Sequence, residues 1–165
     1  MRECAFSRTP VMRRSFPTCR NSWPNLEYFS MHDDHGESPF ALDRLLLRRA
    51  LERAAPGYDE AAFVHREVGN RLLERLNLIK CRPETMVDVG CGTGVITAAL
   101  MKKYRKARVI GLDLAPGLVK KARQRAPWLR ALHGAVAEPE ALPLPSASCD
   151  LVFSHFALPW CLDLD

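Results

Sequence analysis

The sequence predicts an α/β fold in which the strands of a parallel sheet alternate with helices. The first observation is the segment Val87–Gly94, VDVGCGTG, in which an apolar strand runs into a turn with three alternating glycines. The second is the segment Arg108–Leu114, RVIGLDL, a short apolar strand that ends in an acid. The third is the helical pattern that follows each of these strands. Strand and helix in this alternation are typical of a parallel sheet.

The region after residue 84 divides into strands and intervening helices. Each strand is a short run rich in apolar residues, and each helix carries apolar residues at helical spacing. The predicted strands are Thr85–Val89, Ala107–Asp113, Leu129–Gly134 and Cys149–Phe156, and the predicted helices are Ile96–Tyr104 and Gly117–Gln124.

The glycine turn carries the strongest functional signal. Gly90, Gly92 and Gly94 allow a sharp turn and a close approach of the backbone to a ligand, which the next helix faces with its N-terminal amides. Asp88 lies two residues before the first glycine. A dinucleotide fingerprint requires glycine or alanine five positions after the first glycine, where this chain has Val95. The turn therefore predicts a nucleoside-binding site and disfavours NAD.

The acid at the end of the second strand supports the same site. Asp113 lies about 20 residues after the glycine turn, the spacing expected of an acid that accepts hydrogen bonds from ribose hydroxyls. Taken alone, such an acid is equally consistent with a solvated loop residue. The order of strand, glycine turn, helix, strand and terminal acid favours the ligand role.

At these residues the chain resembles the class I S-adenosylmethionine-dependent methyltransferases, from about Asp43 to its end. Two segments, Tyr58–Leu76 and Glu140–Trp160, are similar to the patterns YDxxAxxQxxVxxxLLxxL and DLVFSNLALQW of the malonyl-acyl-carrier-protein O-methyltransferases of biotin synthesis. The matching residues are Tyr58, Asp59, Val68, Leu72, Leu73, Asp150, Ser154 and Trp160. The departures are His65, His155 and Pro159, where that family usually has Gln, Asn and Gln.

The resemblance implies a Rossmann-like class I methyltransferase fold with N-terminal helices and a partial parallel sheet of about four strands, in the order 3-2-1-4. Because the complete fold has more strands, the chain is interpreted as the N-terminal part of a truncated methyltransferase, with a minimal methyltransferase as the alternative. Residues 1–40 are expected to be a disordered leader or a mis-assigned start before Met31. Residues 41–80 are expected to form a helical cap, and residues 81–165 an incomplete S-adenosylmethionine-binding α/β domain.

The resemblance also implies the cofactor, S-adenosylmethionine, and the residues around it. Asp88 would order the turn or contact the amino-acid moiety, and Glu138 would face the adenine amine. The candidate catalytic residues are Tyr58, which would cap the site, and His155, which is either a base or a polar wall of the pocket. The residues expected to bind the cofactor are Asp88, Gly90, Cys91, Gly92, Gly94, Asp113, Leu114, Glu138 and Ser154.

The composition and net charge of the chain narrow the range of binding partners that the sequence predicts. The 165 residues carry a net charge of +5, and the basic runs Met101–Arg108 and Val119–Arg125 suit the acidic acyl carrier protein that the resemblance implies as substrate. The favoured explanation of these runs is that Lys and Arg near helix C-termini complement the helix dipole and keep the surface soluble. Six cysteines without a CxxC pair predict neither a disulfide framework nor a metal site. The sequence has no aromatic-interleaved basic stripe and no long apolar run, so neither nucleic acid nor membrane is predicted as a partner.

The sequence alone leaves alternatives open for the cellular location and the activity of the protein. A cytoplasmic location is expected, with the mitochondrion as the alternative if residues 1–30 act as a transit peptide. Two other functions stay open: a non-catalytic S-adenosylmethionine-binding or respiratory-complex assembly protein, and an inactive truncated remnant. The sequence sets neither the oligomeric state nor the methyl acceptor.

Overall fold

The computed structural model describes residues 43–161. The expected leader at residues 1–40 lies outside the described residues, as does the stretch after residue 161. Within the described part, three helices precede a four-stranded sheet that alternates with two further helices. None of these helices combines the length and the apolar character needed to cross a membrane.

Three helices form the N-terminal part of the described chain: α1 (Arg44–Ala54), α2 (Tyr58–Ala61) and α3 (Phe63–Arg75). The Asp43 carboxylate caps α1 by accepting from the backbone N–H groups of Leu45 and Leu46, at 2.8 and 3.0 Å. A short 3-10 turn, Ala55–Gly57, connects α1 to α2. All three helices fall within the segment predicted to form the helical cap.

The segment Tyr58–Leu76, which matches the family pattern, is not one continuous helix: it is interrupted at Ala62, whose ψ of 32° is not helical. In a continuous helix the Asp59 carbonyl would accept from the N–H of Phe63. The Arg66 guanidinium donates to that carbonyl instead. The interruption lets α2 and α3 contribute separate side chains to one cavity.

The sheet consists of β1 (Thr85–Val89), β2 (Arg108–Asp113), β3 (His133–Val136) and β4 (Leu151–Ser154), all parallel, in the order β3-β2-β1-β4. Helix α4 (Val95–Lys103) joins β1 to β2, and α5 (Pro116–Arg125) joins β2 to β3. The predicted α/β class, the strand order and the N-terminal helices are confirmed. Because the strands are parallel, their carboxyl ends meet at one edge of the sheet.

Strand β1 is the centre of the core. Its Met86 belongs to a buried cluster with Leu100 of α4 and Val109 of β2. Side chains alternate along a strand, so Val87 and Val89 face the opposite side, where they join a second buried cluster. Both faces of the sheet are therefore packed, as expected of internal parallel strands.

The bounds predicted for two strands are wrong. The strand predicted for Leu129–Gly134 begins only at His133, because Leu129 has a φ of 69°, is 85% exposed and belongs to a turn. The strand predicted for Cys149–Phe156 is confined to β4, and Phe156 beyond it has a φ of 60°. A positive φ is incompatible with extended pairing, so neither Leu129 nor Phe156 can belong to a strand.

Candidate active site

The glycine turn after β1 is held by the neighbouring strand. The backbone N–H groups of Gly90 and Cys91 both donate to the Leu112 carbonyl, at 2.8 and 2.9 Å. Gly90, Gly92 and Gly94 have φ values of 76°, 54° and 79°, in the left-handed region that glycine adopts without steric cost. The backbone of the turn therefore requires the alternating glycines.

The three glycines differ in what surrounds them. A Cβ added to Gly90 would lie 2.6 Å from the Ala157 Cβ, and one added to Gly94 would lie 2.6 Å from the backbone of α5. A Cβ added to Gly92 would meet nothing closer than the Tyr58 ring, at 3.8 Å. Gly90 and Gly94 thus allow close packing, whereas Gly92 presents its backbone to open space.

Asp113, at the end of β2, holds the tip of the glycine turn. Its carboxylate accepts from the backbone N–H groups of Gly92 at 2.8 Å and Ala115 at 3.1 Å. The residue is 8% exposed, and this burial raises the pKa of its carboxyl group against the opposing effect of these hydrogen bonds. A carboxylate offers about four acceptor positions, so Asp113 retains capacity for hydroxyl groups of a ligand.

A cavity of about 270 Å³ lies at the carboxyl ends of the four strands, against helices α1, α2 and α3. Apolar side chains, among them Leu51, Leu118 and Ala137, form much of the remaining wall. Such a concave, mainly apolar space with a few polar groups is typical of a small-molecule site. The predicted site residues on its wall are Tyr58, Gly90, Cys91, Gly92, Asp113, Leu114 and His155.

Three of the residues predicted to bind the cofactor, Gly94, Glu138 and Ser154, lie beside this wall. Gly94 packs against α5, as described above. The Ser154 hydroxyl donates to the Val89 carbonyl at 2.9 Å. The Glu138 carboxylate lies 4.0 Å from the Arg44 guanidinium. Their contacts with a cofactor stay predictions.

Asp88 is fully buried behind the glycine turn. One carboxylate oxygen accepts from the Thr97 hydroxyl at 2.6 Å, and the other has no hydrogen-bond partner among residues 43–161. Burial raises the pKa of Asp88 to about 7, with the hydrogen bond from Thr97 opposing the shift and the charge of Asp113 adding to it. Asp88 therefore anchors the first turn of α4 from within the core.

Replacing Asp88 with asparagine is expected to remove a fall in stability between about pH 5 and pH 7. Because the native pKa is about 7 and the unfolded value is about 4, the native state binds more protons in this interval. The wild-type free energy of unfolding should therefore decrease by about 2 kcal/mol relative to Asp88→Asn as the pH rises. Urea denaturation of both proteins at the two pH values measures the difference, and parallel stability curves would contradict the burial argument.

Asp59 ties α2 to the glycine turn, a role that the sequence analysis missed. Its carboxylate accepts from the Thr93 hydroxyl and from the Arg125 guanidinium, each at 2.5 Å. Its partners lie 34 and 66 residues further along the chain, so no local pattern could identify them. The match of Asp59 to the family pattern is the one signal that singled it out.

Arg44, at the start of α1, closes the rim of the cavity. Its guanidinium donates to the Trp160 carbonyl at 2.9 Å and pairs with the Glu140 carboxylate. These partners are 116 and 96 residues away, and the sequence around Arg44 gives no signal of the contact. Arg44 thus joins the first helix to the segment after β4.

Tyr58 and His155, the candidate catalytic residues, lie near His65 and Phe156 on the cavity wall. The ring centroids of Tyr58 and His65 are 6.1 Å apart, and those of His65 and Phe156 are 4.5 Å apart. Burial, with the charge of Asp113, raises the pKa of Tyr58, so the phenol stays protonated. Burial, with the charge of His65, lowers the pKa of His155, so this imidazole is neutral at neutral pH.

The polar groups of the wall are backbone amides, the carboxylates of Asp59 and Asp113, the guanidinium groups of Arg44 and Arg66, and the rings of Tyr58, His65 and His155. Within the described part of the chain, no group of His, Cys, Asp and Glu side chains could hold a metal ion. The cysteines in this part are free thiols, and burial raises the pKa of Cys91 in the glycine turn. Cys91 is therefore an uncharged packing residue at neutral pH.

The strand order, the glycine turn and the acid at the end of β2 define a class I methyltransferase domain. Residues 87–165 match the family described as "Methyltransferase domain". The predicted resemblance to class I methyltransferases is therefore confirmed.

Similar proteins agree with this assignment. The chain is 46% identical over 124 residues to the malonyl-[acyl-carrier protein] O-methyltransferase of Halorhodospira halophila (strain DSM 244 / SL1), covering 75% of this chain and 42% of that protein. It is 45% identical over 132 residues to the enzyme of the same name from Methylovorus sp. (strain MP688), covering 76% and 45%. The chain thus spans less than half the length of these curated relatives.

A solved structure shares the fold. The chain is 26% identical to a chain of the complex between the Haloferax volcanii Trm112 methyltransferase activator and a candidate methyltransferase, with a TM-score of 0.53. The similarity covers 63% of this chain and 46% of the other.

Proposed function

We propose that this chain is the cofactor-binding part of an S-adenosylmethionine-dependent O-methyltransferase that methylates the free carboxylate of malonyl-acyl carrier protein in biotin biosynthesis. The observation that carries the proposal is the cavity in which Gly92 and Asp113 meet at the carboxyl edge of the sheet. The names of the curated relatives support the choice of acceptor. An acyl carrier protein thioester as partner and a cytoplasmic location belong to the same proposal.

The residues on the wall fit S-adenosylmethionine. Asp113 would accept hydrogen bonds from the ribose hydroxyls with the lone pairs that its two backbone partners leave. Gly92 offers a backbone without a Cβ to the same space. Leu114, Leu118 and Ala137, on the β2 and β3 side, provide an apolar surface for the adenine ring.

A carboxylate acceptor makes a catalytic base unnecessary, because it is already ionised at neutral pH. When bound, S-adenosylmethionine supplies an electrophilic methyl group: the acceptor oxygen forms the new O–C bond, the C–S bond breaks, and its electron pair stays on sulfur. The chain itself would hold both molecules in line and exclude water, aided by the contact of Arg44 with the Trp160 carbonyl. Tyr58 and His155 would then position substrate rather than remove a proton.

Titration calorimetry of S-adenosylmethionine and S-adenosylhomocysteine into the chain tests the cofactor assignment. Micromolar dissociation constants are expected for both, corresponding to roughly 8 kcal/mol, because the glycine turn and Asp113 are already in place. NAD is the control ligand and should not bind. Absence of binding by a chain that still melts cooperatively would overturn the assignment.

A transfer assay tests the acceptor. Malonyl-acyl carrier protein should gain a methyl ester, detected by mass spectrometry, whereas acetyl-acyl carrier protein should not, because it lacks the free carboxylate. Equal modification of the two proteins would exclude the proposed acceptor.

A further inference from the structure

Basic side chains line the β4 side of the cavity. Two strand spacings separate β4 from β2, so His155, directly after β4, lies roughly 10 Å across the sheet from Asp113. Helix α3 adds His65 and Arg66 to the cavity wall, and the His65 ring contacts Phe156 on this side. The name "basic end of the cavity" refers to His65, Arg66 and His155.

Ring contacts fix the two imidazoles of the basic end. The rings of His65 and Phe156 lie 4.5 Å apart at 46°, and His155 lies 5.8 Å from the Phe153 ring. The His155 Nε2 faces Gly69 of α3, only 3.4 Å from where a Cβ would stand. Its Nδ1 is buried and has no hydrogen-bond partner in the described part of the chain. A hydrogen bond to a ligand would satisfy such an atom.

Arg66 supplies the cation of the basic end. Within residues 43–161, its guanidinium makes one hydrogen bond, to the Asp59 carbonyl, and no ion pair. A guanidinium has five N–H donors in one plane, and a carboxylate matches two of them. The Asp59 carboxylate pairs with Arg125 instead. The charge of Arg66 is therefore not neutralised by a direct acidic partner in this part of the chain.

We infer that the basic end binds the anionic group of the methyl acceptor, a carboxylate, through Arg66 and His155, with His65 orienting the wall through Phe156. The inference rests on the proposed function and deepens it by naming the residues that select a charged acceptor. The cofactor would lie between Asp113 and this end, which places the carboxylate beside the transferred methyl group. An uncharged acceptor of the same shape leaves the cation unpaired and should bind less tightly.

Calorimetry with the 165-residue chain and saturating S-adenosylhomocysteine separates acceptor binding from chemistry. The two probes are malonyl-pantetheine, which carries the carboxylate, and its methyl ester, which does not. The parent chain should bind the acid at least roughly 10-fold more tightly than the ester, as a charge-assisted contact would provide.

Paired variants identify the residues responsible. Arg66→Gln and His155→Leu should each reduce the preference for the acid to about 3-fold or less, whereas Arg66→Lys and His155→Asn, which keep the charge or an N–H donor, should retain most of it. Arg71→Gln is the matched control, because Arg71 lies exposed on the same helix and pairs with Glu67. Thermal melting and the affinity for S-adenosylhomocysteine check that each variant is folded. If Arg66→Gln does not fold, the comparison of acid preference between His155→Leu and His155→Asn tests the inference.

The outcomes distinguish this inference from the proposed function. Loss of acid preference with S-adenosylhomocysteine affinity unchanged supports the basic end. A parent chain that binds S-adenosylhomocysteine without preferring the acid, or variants that keep the preference, overturns the inference and leaves the cofactor assignment intact. Absence of S-adenosylhomocysteine binding overturns the proposed function and this inference with it.

Discussion

Replacing Asp113 with alanine is expected to weaken the binding of S-adenosylmethionine by about 2–3 kcal/mol, a roughly 30- to 160-fold rise in Kd. Two losses combine in this variant. The ribose hydroxyls lose a charged acceptor, and the N–H of Gly92, which donates to Asp113 at 2.8 Å, loses the group that holds the tip of the glycine turn. Calorimetry with S-adenosylmethionine measures the change.

Asp150→Ala is the matched control for Asp113→Ala. The Asp150 carboxylate also accepts two backbone hydrogen bonds, from Glu84 at 2.9 Å and Thr85 at 2.8 Å, but at the start of β1, the opposite edge of the sheet. Asp150→Ala should lower the free energy of unfolding by about 1–2 kcal/mol and leave Kd within roughly twofold. An unchanged Kd in Asp113→Ala, or an equal rise in both variants, would contradict the ribose assignment.

Local signals account for the part of the site that the sequence predicted well. The apolar strand β1, the glycine turn and Asp113 lie within 30 residues of one another, and each is fixed by backbone geometry. Alternating glycines permit a turn in the left-handed region, and the φ values of Gly90, Gly92 and Gly94 lie there. A parallel sheet then brings the end of β2 beside this turn, so fold class and central site follow together.

The rest of the site could not be predicted, because it depends on contacts between segments that are far apart in the sequence. Asp59 meets Thr93, and Arg44 meets Glu140, only because α1 and α2 pack against the carboxyl edge of the sheet. Nor does the sequence distinguish a glycine that faces a ligand from one that permits packing. The sequence places the start of β3 too early for a related reason: the apolar Leu129 occupies an exposed turn rather than the core.

Gly94→Ala is expected to have the largest effect on folding, with a loss of about 2–5 kcal/mol in the free energy of unfolding. The φ of 79° costs roughly 1–2 kcal/mol for a residue with a Cβ. The new Cβ would also lie 2.6 Å from the Ala122 Cα, and backbone atoms cannot move aside as a flexible side chain can. Overpacking of this kind adds about 1–3 kcal/mol.

Gly92→Ala and Gly57→Ala test this reasoning under the same urea denaturation. Gly92 shares the left-handed backbone, but its Cβ would meet nothing closer than 3.8 Å, so only the strain of about 1–2 kcal/mol is expected. Gly57 has a negative φ and nothing within 4 Å of its Cβ, so alanine there should be neutral or stabilising by up to about 1 kcal/mol. Equal losses at Gly92 and Gly94 would mean that backbone conformation alone requires both glycines. A larger loss in the free energy of unfolding for Gly94→Ala than for Gly92→Ala would show that Gly94 is also required for packing against α5. Gly92 would then be required for its backbone conformation and would leave space for a ligand.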